Sequence, residues 1–199
     1  MSNPHASDHP AQLSAWGDES MRFAASPKAY VLAAALIEGH LTDDVREVVR
    51  PLRVAGTKLH WRDLDRRQRD KVVDVVAGLE ALHLVVIATP LDPRRQERAR
   101  AKCIQRMLSH LGDLGVHQMV LEQRTESLNR LDQKLITKLR GTRAFPAFLT
   151  VDFRQPSKEP LLWLPDVVAG AVGEELADTT SPWARRLEPC IERLNVDLN

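Results

Sequence analysis

The sequence predicts an α/β domain: a mixed sheet with leading antiparallel strands and helices on its faces. Three observations predict it. Two apolar runs, residues 13–23 and 29–37, follow each other across a Ser26-Pro27 turn signal, as in an antiparallel hairpin. Further along, strand-like runs alternate with stretches of helical periodicity. The bulk composition fits, because 199 residues with 43% apolar and 28% charged content suit one water-compatible domain. A chain of that size buries about 70% of its unfolded surface.

Residues 1–12 (MSNPHASDHPAQ) are polar and read as a disordered tail, with His5 and His9 as surface residues, so the domain spans 13–199. Leu13 to Phe23 reads as a strand interrupted by Asp18-Glu19-Ser20. Ala29 to Ile37 (AYVLAAALI) is a continuous apolar run of the buried-strand kind, although its alanines also allow a helix. Thr42 is placed to cap a helix with Asp43, Asp44 and Glu47 in its first turns, and Pro51 limits it. Residues 56–61 (GTKLHW) read as a third short strand. From Asp65 a helix follows, with Val72, Val73, Val76 and Leu79 on one stripe.

Leu82 to Thr89 (LHLVVIAT) is the clearest strand, ended by Pro90. Ala99, Cys103, Met107 and Leu111 then stripe a helix that Gly112 and Gly115 terminate. Val116 to Leu121 is a strand. Leu128, Leu131, Leu135 and Leu139 mark another helix, stopped by Gly141. Phe145 to Phe153 reads as a strand with Pro146 near its start or on an edge. Asp166 to Leu176 is helical, and Ala169, Gly170 and Gly173 give it a small-residue face.

Composition narrows the function classes. A formal net charge of +1 is inconsistent with a uniformly basic nucleic-acid glove, so any basic surface is local. Cys103 and Cys190 lack metal-ligand spacing and read as thiols in a reducing compartment. The polar start carries no secretory pattern, and no apolar run approaches the ~20 residues of a membrane span, so the expected location is cytoplasmic. There is no GxxxxGK or GxGxxG, which disfavours nucleotide-dependent chemistry. His83, His110 and His117 show no ligand spacing, and Ser20 lacks the context of a nucleophile.

The candidate chemistry lies in acids. Asp18 and Glu19 on one strand point to opposite faces, so only one can serve a given site and the other is exposed or ion-paired. Glu122 directly follows an apolar run, at the strand terminus where α/β proteins place ligands. Asp166, after Pro165 at a helix start, faces a favourable dipole. Two carboxylates ~4 Å apart repel by about 4 kcal/mol at an effective dielectric of 20, so converging acids need protons, arginines or metal. All-oxygen donors select hard cations such as Mg²⁺ or Mn²⁺, which can activate water against a phosphodiester. His60, beside Lys58 and Trp61, is a candidate general base or phosphate contact. Arg62 and Arg66, with Arg67 and Arg69, form one basic cluster; Arg94 and Arg95, with Arg98 and Arg100, form another. Both are candidate phosphate grips.

The motifs, in their order, resemble the domain of unknown function 3800 family, which is assigned to the ribonuclease H-like superfold. Asp18-Glu19-Ser20 with the strand from Tyr30 to Ile37 resembles the family's N-terminal signature. Val120-Leu121-Glu122-Gln123-Arg124 resembles its acid-ending strand, and Leu161 to Val172 (LLWLPDVVAGAV) resembles its C-terminal signature. The resemblance covers residues 14–177 and implies a ribonuclease H-like mixed sheet. It also implies Asp18, Glu122 and Asp166 as metal ligands and catalytic acids for Mg²⁺ or Mn²⁺, Glu19 and Asp152 as accessories, and a nuclease acting on nucleic acid. The sequence departs from the pattern at Met21, where glycine is frequent, and at Trp163 and Pro165 around the last acid. Those departures motivate the alternative: an inactive nucleic-acid-binding or regulatory module on the same fold, linked to mobile elements or phage defence.

Overall fold

A computed structural model describes residues 12–53 and 56–199, so the tail predicted at 1–12 lies outside the described residues except for Gln12. Its backbone carbonyl accepts the Gly39 N–H at 2.9 Å. The chain forms a six-stranded mixed sheet with helices on both faces. Strand β1 (Leu13–Arg22) and strand β2 (Ala29–Glu38) are the predicted antiparallel hairpin, paired along their whole length from Leu13–Glu38 to Arg22–Ala29. The alanines of β2 do not make it a helix. Buried on both faces from Ala29 to Ile37, it occupies an interior place in the sheet, where small side chains let helices approach.

Helix α1 (Thr42–Val49) begins one residue earlier than the predicted cap allows. Thr42 lies inside it, and its Oγ1 donates back to the Gly39 carbonyl at 2.9 Å. Helix α2 (Arg66–Ala77) starts at Asp65, whose side chain accepts the Gln68 N–H while the Gln68 side chain accepts the Asp65 N–H. This reciprocal capping box explains the sharp start. Strand β3 (Leu82–Thr89) pairs antiparallel with β2. Helix α3 (Gln96–Asp113), strand β4 (Gln118–Glu122), helix α4 (Glu126–Gly141) and strand β5 (Thr150–Arg154) follow, with β4 parallel to β1 and β5 parallel to β4. Helix α5 (Trp163–Ala177), helix α6 (Trp183–Leu187) and strand β6 (Ile191–Asp197) complete the chain. The order across the sheet is β5-β4-β1-β2-β3-β6.

Three sequence expectations are corrected. Residues 56–61 are not a strand: Gly56 has φ +69°, and the segment runs over α5 as a loop ending in a single helical turn, Trp61–Asp63. Residues 145–149 are also loop. Pro146 packs so closely on α3 that a Cβ on Gly112 would stand 2.2 Å from its ring, and the strand waits until Thr150. The third correction is an addition, since the sequence reading ended at α5 and missed α6 and β6. In β6, Glu192, Arg193, Asn195 and Asp197 interrupt the apolar pattern, and the strand runs parallel along β3 at the sheet's edge.

Two cores flank the sheet. On one side, Trp16, Val31, Ala33, Val85 and Val120 pack against α5, with α1, α2 and α6 also contributing to that core. From Trp163 to Gly173 every residue of α5 is buried, as expected of a helix enclosed on all sides. On the other side, Ala15, Tyr30, Leu32, Leu84 and Leu121 pack against α3 and α4. Because β1, β3, β4, β5 and β6 all run in one direction, their C-terminal ends line one edge of the sheet. Asp18 and Glu122 lie toward that edge.

Candidate acidic site at the strand ends

Strand register brings the first two acids together. Gly17 pairs with Leu121 in the parallel β1–β4 ladder, so Asp18 and Glu122 are the next positions on the two strands. Gly17 lets those strands pack tightly, since a Cβ there would meet the Met119 methyl at 2.3 Å. Asp18 alternates with Trp16 and Glu122 with Val120, both of which belong to the core under α5. Asp166 projects from the first turn of α5 onto the same layer. Strand register thus sets Asp18 beside Glu122, and Asp166 lies in the helix packed over that face.

Asp18 is 8% exposed. Among the described residues its one hydrogen bond is local, with Oδ1 accepting the Glu19 N–H at 2.8 Å. Burial pushes its carboxyl well above the ordinary carboxylate range, and the negative charges of Glu122, Glu19 and Asp166 push it further. That is the electrostatic signature of acids gathered without a full set of counter-ions.

The other two acids are engaged by the loop that was expected to be a strand. Lys58 Nζ donates to Glu122 Oε1 at 3.0 Å. His60 Nδ1 lies 3.1 Å from each Asp166 oxygen, and the Trp61 backbone N–H donates to Asp166 Oδ2 at 2.7 Å. Leu59, Trp61 and Leu64 anchor the loop in the core while Lys58 and His60 turn to the acids. This alternation of buried and polar positions imitates a strand in sequence. Among the described residues, no three His, Cys, Asp or Glu side chains stand as a preformed cation cage. The donor chemistry nevertheless suits a hard cation, because Asp18, Glu122 and Asp166 offer only oxygen.

Cations border the acids. Arg22, on the same face of β1 as Asp18, donates from Nη2 to the Gly170 carbonyl at 3.0 Å. Its guanidinium is held below its usual value, first by burial and then by nearby Arg69, against the attraction of Glu174 and Asp166. The small-residue face of α5 accommodates these neighbours: a Cβ on Gly173 would stand 2.1 Å from Arg22 Nε. Arg69 stacks over Trp61 at 4.8 Å and Trp183 at 5.2 Å and pairs with Glu174 at 3.0 Å.

Glu19 does not belong to this site. It points to the opposite face, as alternation requires, and pairs with the buried Arg100, which also holds Asp132 through Nε and Nη2. Arg100 therefore leaves the proposed surface cluster: it is 1% exposed, and the carboxylates around it raise its basicity despite burial. Sequence reasoning missed this network, although Arg100 falls on the apolar stripe of Cys103, Ile104, Met107, Leu108 and Leu111, where an arginine needs buried partners. Asp152 is exposed on the edge strand β5 and accepts from Gln118 Nε2 at 2.8 Å, opposite Val120 and set back from Glu122.

Arg62 and Arg66 are exposed just beyond His60, and Arg94 and Arg95 are exposed in the turn after β3, at the C-terminal end of that strand. Arg62 lies 3.7 Å from Asp63 and Arg95 lies 3.6 Å from Asp92, both on the surface. Among the described residues, no helix is long and apolar enough to cross a membrane. No protein family, curated protein or solved structure matches this chain.

Proposed function

We propose that the chain is a divalent-metal-dependent nuclease with a ribonuclease H-like sheet, using Asp18, Glu122 and Asp166. The observation that carries this reading is the buried Asp18, set beside Glu122 in the register of adjacent parallel strands and facing the charge of Asp166. A hairpin and a third antiparallel strand, then parallel strands reached through helices, support the scaffold assignment.

Asp18, Glu122 and Asp166 would hold Mg²⁺ or Mn²⁺, which when bound supplies an activated water and a counter-charge for phosphate oxygens. Hydrolysis of a phosphodiester would add a water's oxygen to phosphorus and break the bond to the leaving oxygen, which takes a proton, giving a phosphate monoester and an alcohol. Burial and the neighbouring acids favour the protonated Asp18 carboxyl in the free protein, so a bound cation would take the place of that proton. His60 and the Trp61 N–H orient Asp166. Arg62, Arg66, Arg94 and Arg95 are the residues that would meet the nucleic-acid backbone.

The test is incubation of the purified protein with single- and double-stranded DNA and RNA, with Mg²⁺ or Mn²⁺. Cleavage is expected with at least one substrate and is abolished by Asp18→Asn. Cleavage that persists in that variant removes the assigned mechanism.

One observation favours a second reading, an inactive nucleic-acid-binding or regulatory module. Glu122 and Asp166 already have partners in Lys58, His60 and the Trp61 N–H, as acids kept for structure would. Saturable Mn²⁺ binding that is lost in Asp166→Asn counts against it; nucleic-acid binding without metal binding or cleavage supports it.

A further inference from the structure

The loop over the acids reaches the site at two points that differ in kind. The His60–Trp61 end is anchored: the Trp61 side chain is 2% exposed, its ring fills the space beside Gly170, and its Nε1 donates to Glu174 Oε1 at 2.8 Å. The Lys58 end is looser. Lys58 is half-buried, its side chain 32% exposed, and its described hydrogen bond is the single contact to Glu122 Oε1. It follows Gly56, a left-handed position, and Thr57, both exposed. An ammonium on a flexible four-carbon stem is a compact charge that can leave one carboxylate without unseating the backbone.

Resting on the metal-site reading above, we propose that Lys58 is a built-in counter-ion that regulates the site by exchange. Its ammonium neutralises Glu122 while no divalent ion is bound, and it is displaced into solvent when one binds. The energetics suit a switch. A single ion pair that still meets solvent compensates Glu122 but is too weak to exclude a divalent ion. Among the described residues, no side-chain cation is hydrogen-bonded to Asp18, so its oxygens stay open to a cation while Lys58 is in place. The anchored His60–Trp61 end keeps Asp166 oriented in both states.

Mn²⁺ binding by the full chain, followed by calorimetry, tests this in wild type, Lys58→Met and Lys58→Gln. Both variants are expected to bind Mn²⁺ about fivefold more tightly than wild type, since the competing charge is gone. In wild type, Mg²⁺ is expected to increase the rate at which an amine-reactive reagent labels Lys58, measured by peptide mass spectrometry. Wild-type binding with unchanged or weakened affinity in both variants, in proteins whose thermal melts match wild type, overturns the exchange and leaves the metal site standing. Variants that melt differently are judged on the labelling of wild type alone, where a rate unaffected by Mg²⁺ overturns the exchange. Binding by none of the proteins overturns the metal site and the exchange together.

Discussion

The indole ring of Trp61 occupies the space that a side chain on Gly170 would need, so loop and helix fit together only because residue 170 is glycine. An added Cβ would stand 2.2 Å from the ring. The same tryptophan gives its backbone N–H to Asp166, four residues earlier on the helix. Packing at one turn of α5 thus fixes a hydrogen bond to an acid at the turn before.

Gly170→Ala is expected to lose about 1–3 kcal/mol in urea unfolding, the usual cost of overpacking a filled site. Gly141→Ala is the control. It changes a glycine with nothing within 4 Å of the added carbon, so it is expected to be neutral or slightly stabilising. Equal losses in the two variants would show that Trp61 does not exert the constraint.

Arg100 is 1% exposed and Asp132 is 3% exposed, and Arg100 also reaches Glu19 and the Tyr30 hydroxyl. Arg100→Met leaves the buried Asp132 without its principal cation, a change that costs about 3–5 kcal/mol. Replacing both partners with apolar residues, as in Arg100→Met with Asp132→Leu, is expected to recover much of that loss. Chemical denaturation of the two variants checks this, and a double variant no more stable than the single one would count against the pairing.

His83 is fully buried in β3, and among the described residues neither ring nitrogen has a hydrogen-bond partner. Burial pushes its imidazole down to about 4 from an ordinary 6.5. The unfolded chain therefore takes up a proton before the native protein does. Its contribution to stability is intact above about pH 6.5 and declines as pH falls toward about 4, by about 3 kcal/mol in all. The difference in unfolding free energy between wild type and His83→Leu, measured from pH 7.5 to pH 4.5, is expected to shift toward the variant as acid is added. A difference that does not vary with pH would rule out a neutral buried imidazole.

Much of the sheet was legible because its signals are local. The apolar run from Ala29 to Ile37 and the clear strand from Leu82 to Thr89 have little polar interruption. Asp65 announces its helix through a capping box completed within three residues. What escaped depended on remote partners. Lys58-Leu59-His60-Trp61 has the alternation of a strand, and only Glu122 and Asp166, far along the chain, reveal what the polar positions face. Strand β6 shows a charged sequence because it lies at the edge beside β3. The opposed directions of Asp18 and Glu19 followed from strand geometry alone, but the cation waiting for Glu19 did not.

Those opposed directions bear on how β1 finds its alignment. Sliding the strand by a single position would turn Glu19 toward the crowded negative layer and leave Arg100 with Asp132 as its remaining carboxylate partner. Each side of the sheet thus rejects the wrong acid. Adjacent carboxylates of unlike environment serve as a proofreading mark for assembly, whatever chemistry one of them also performs.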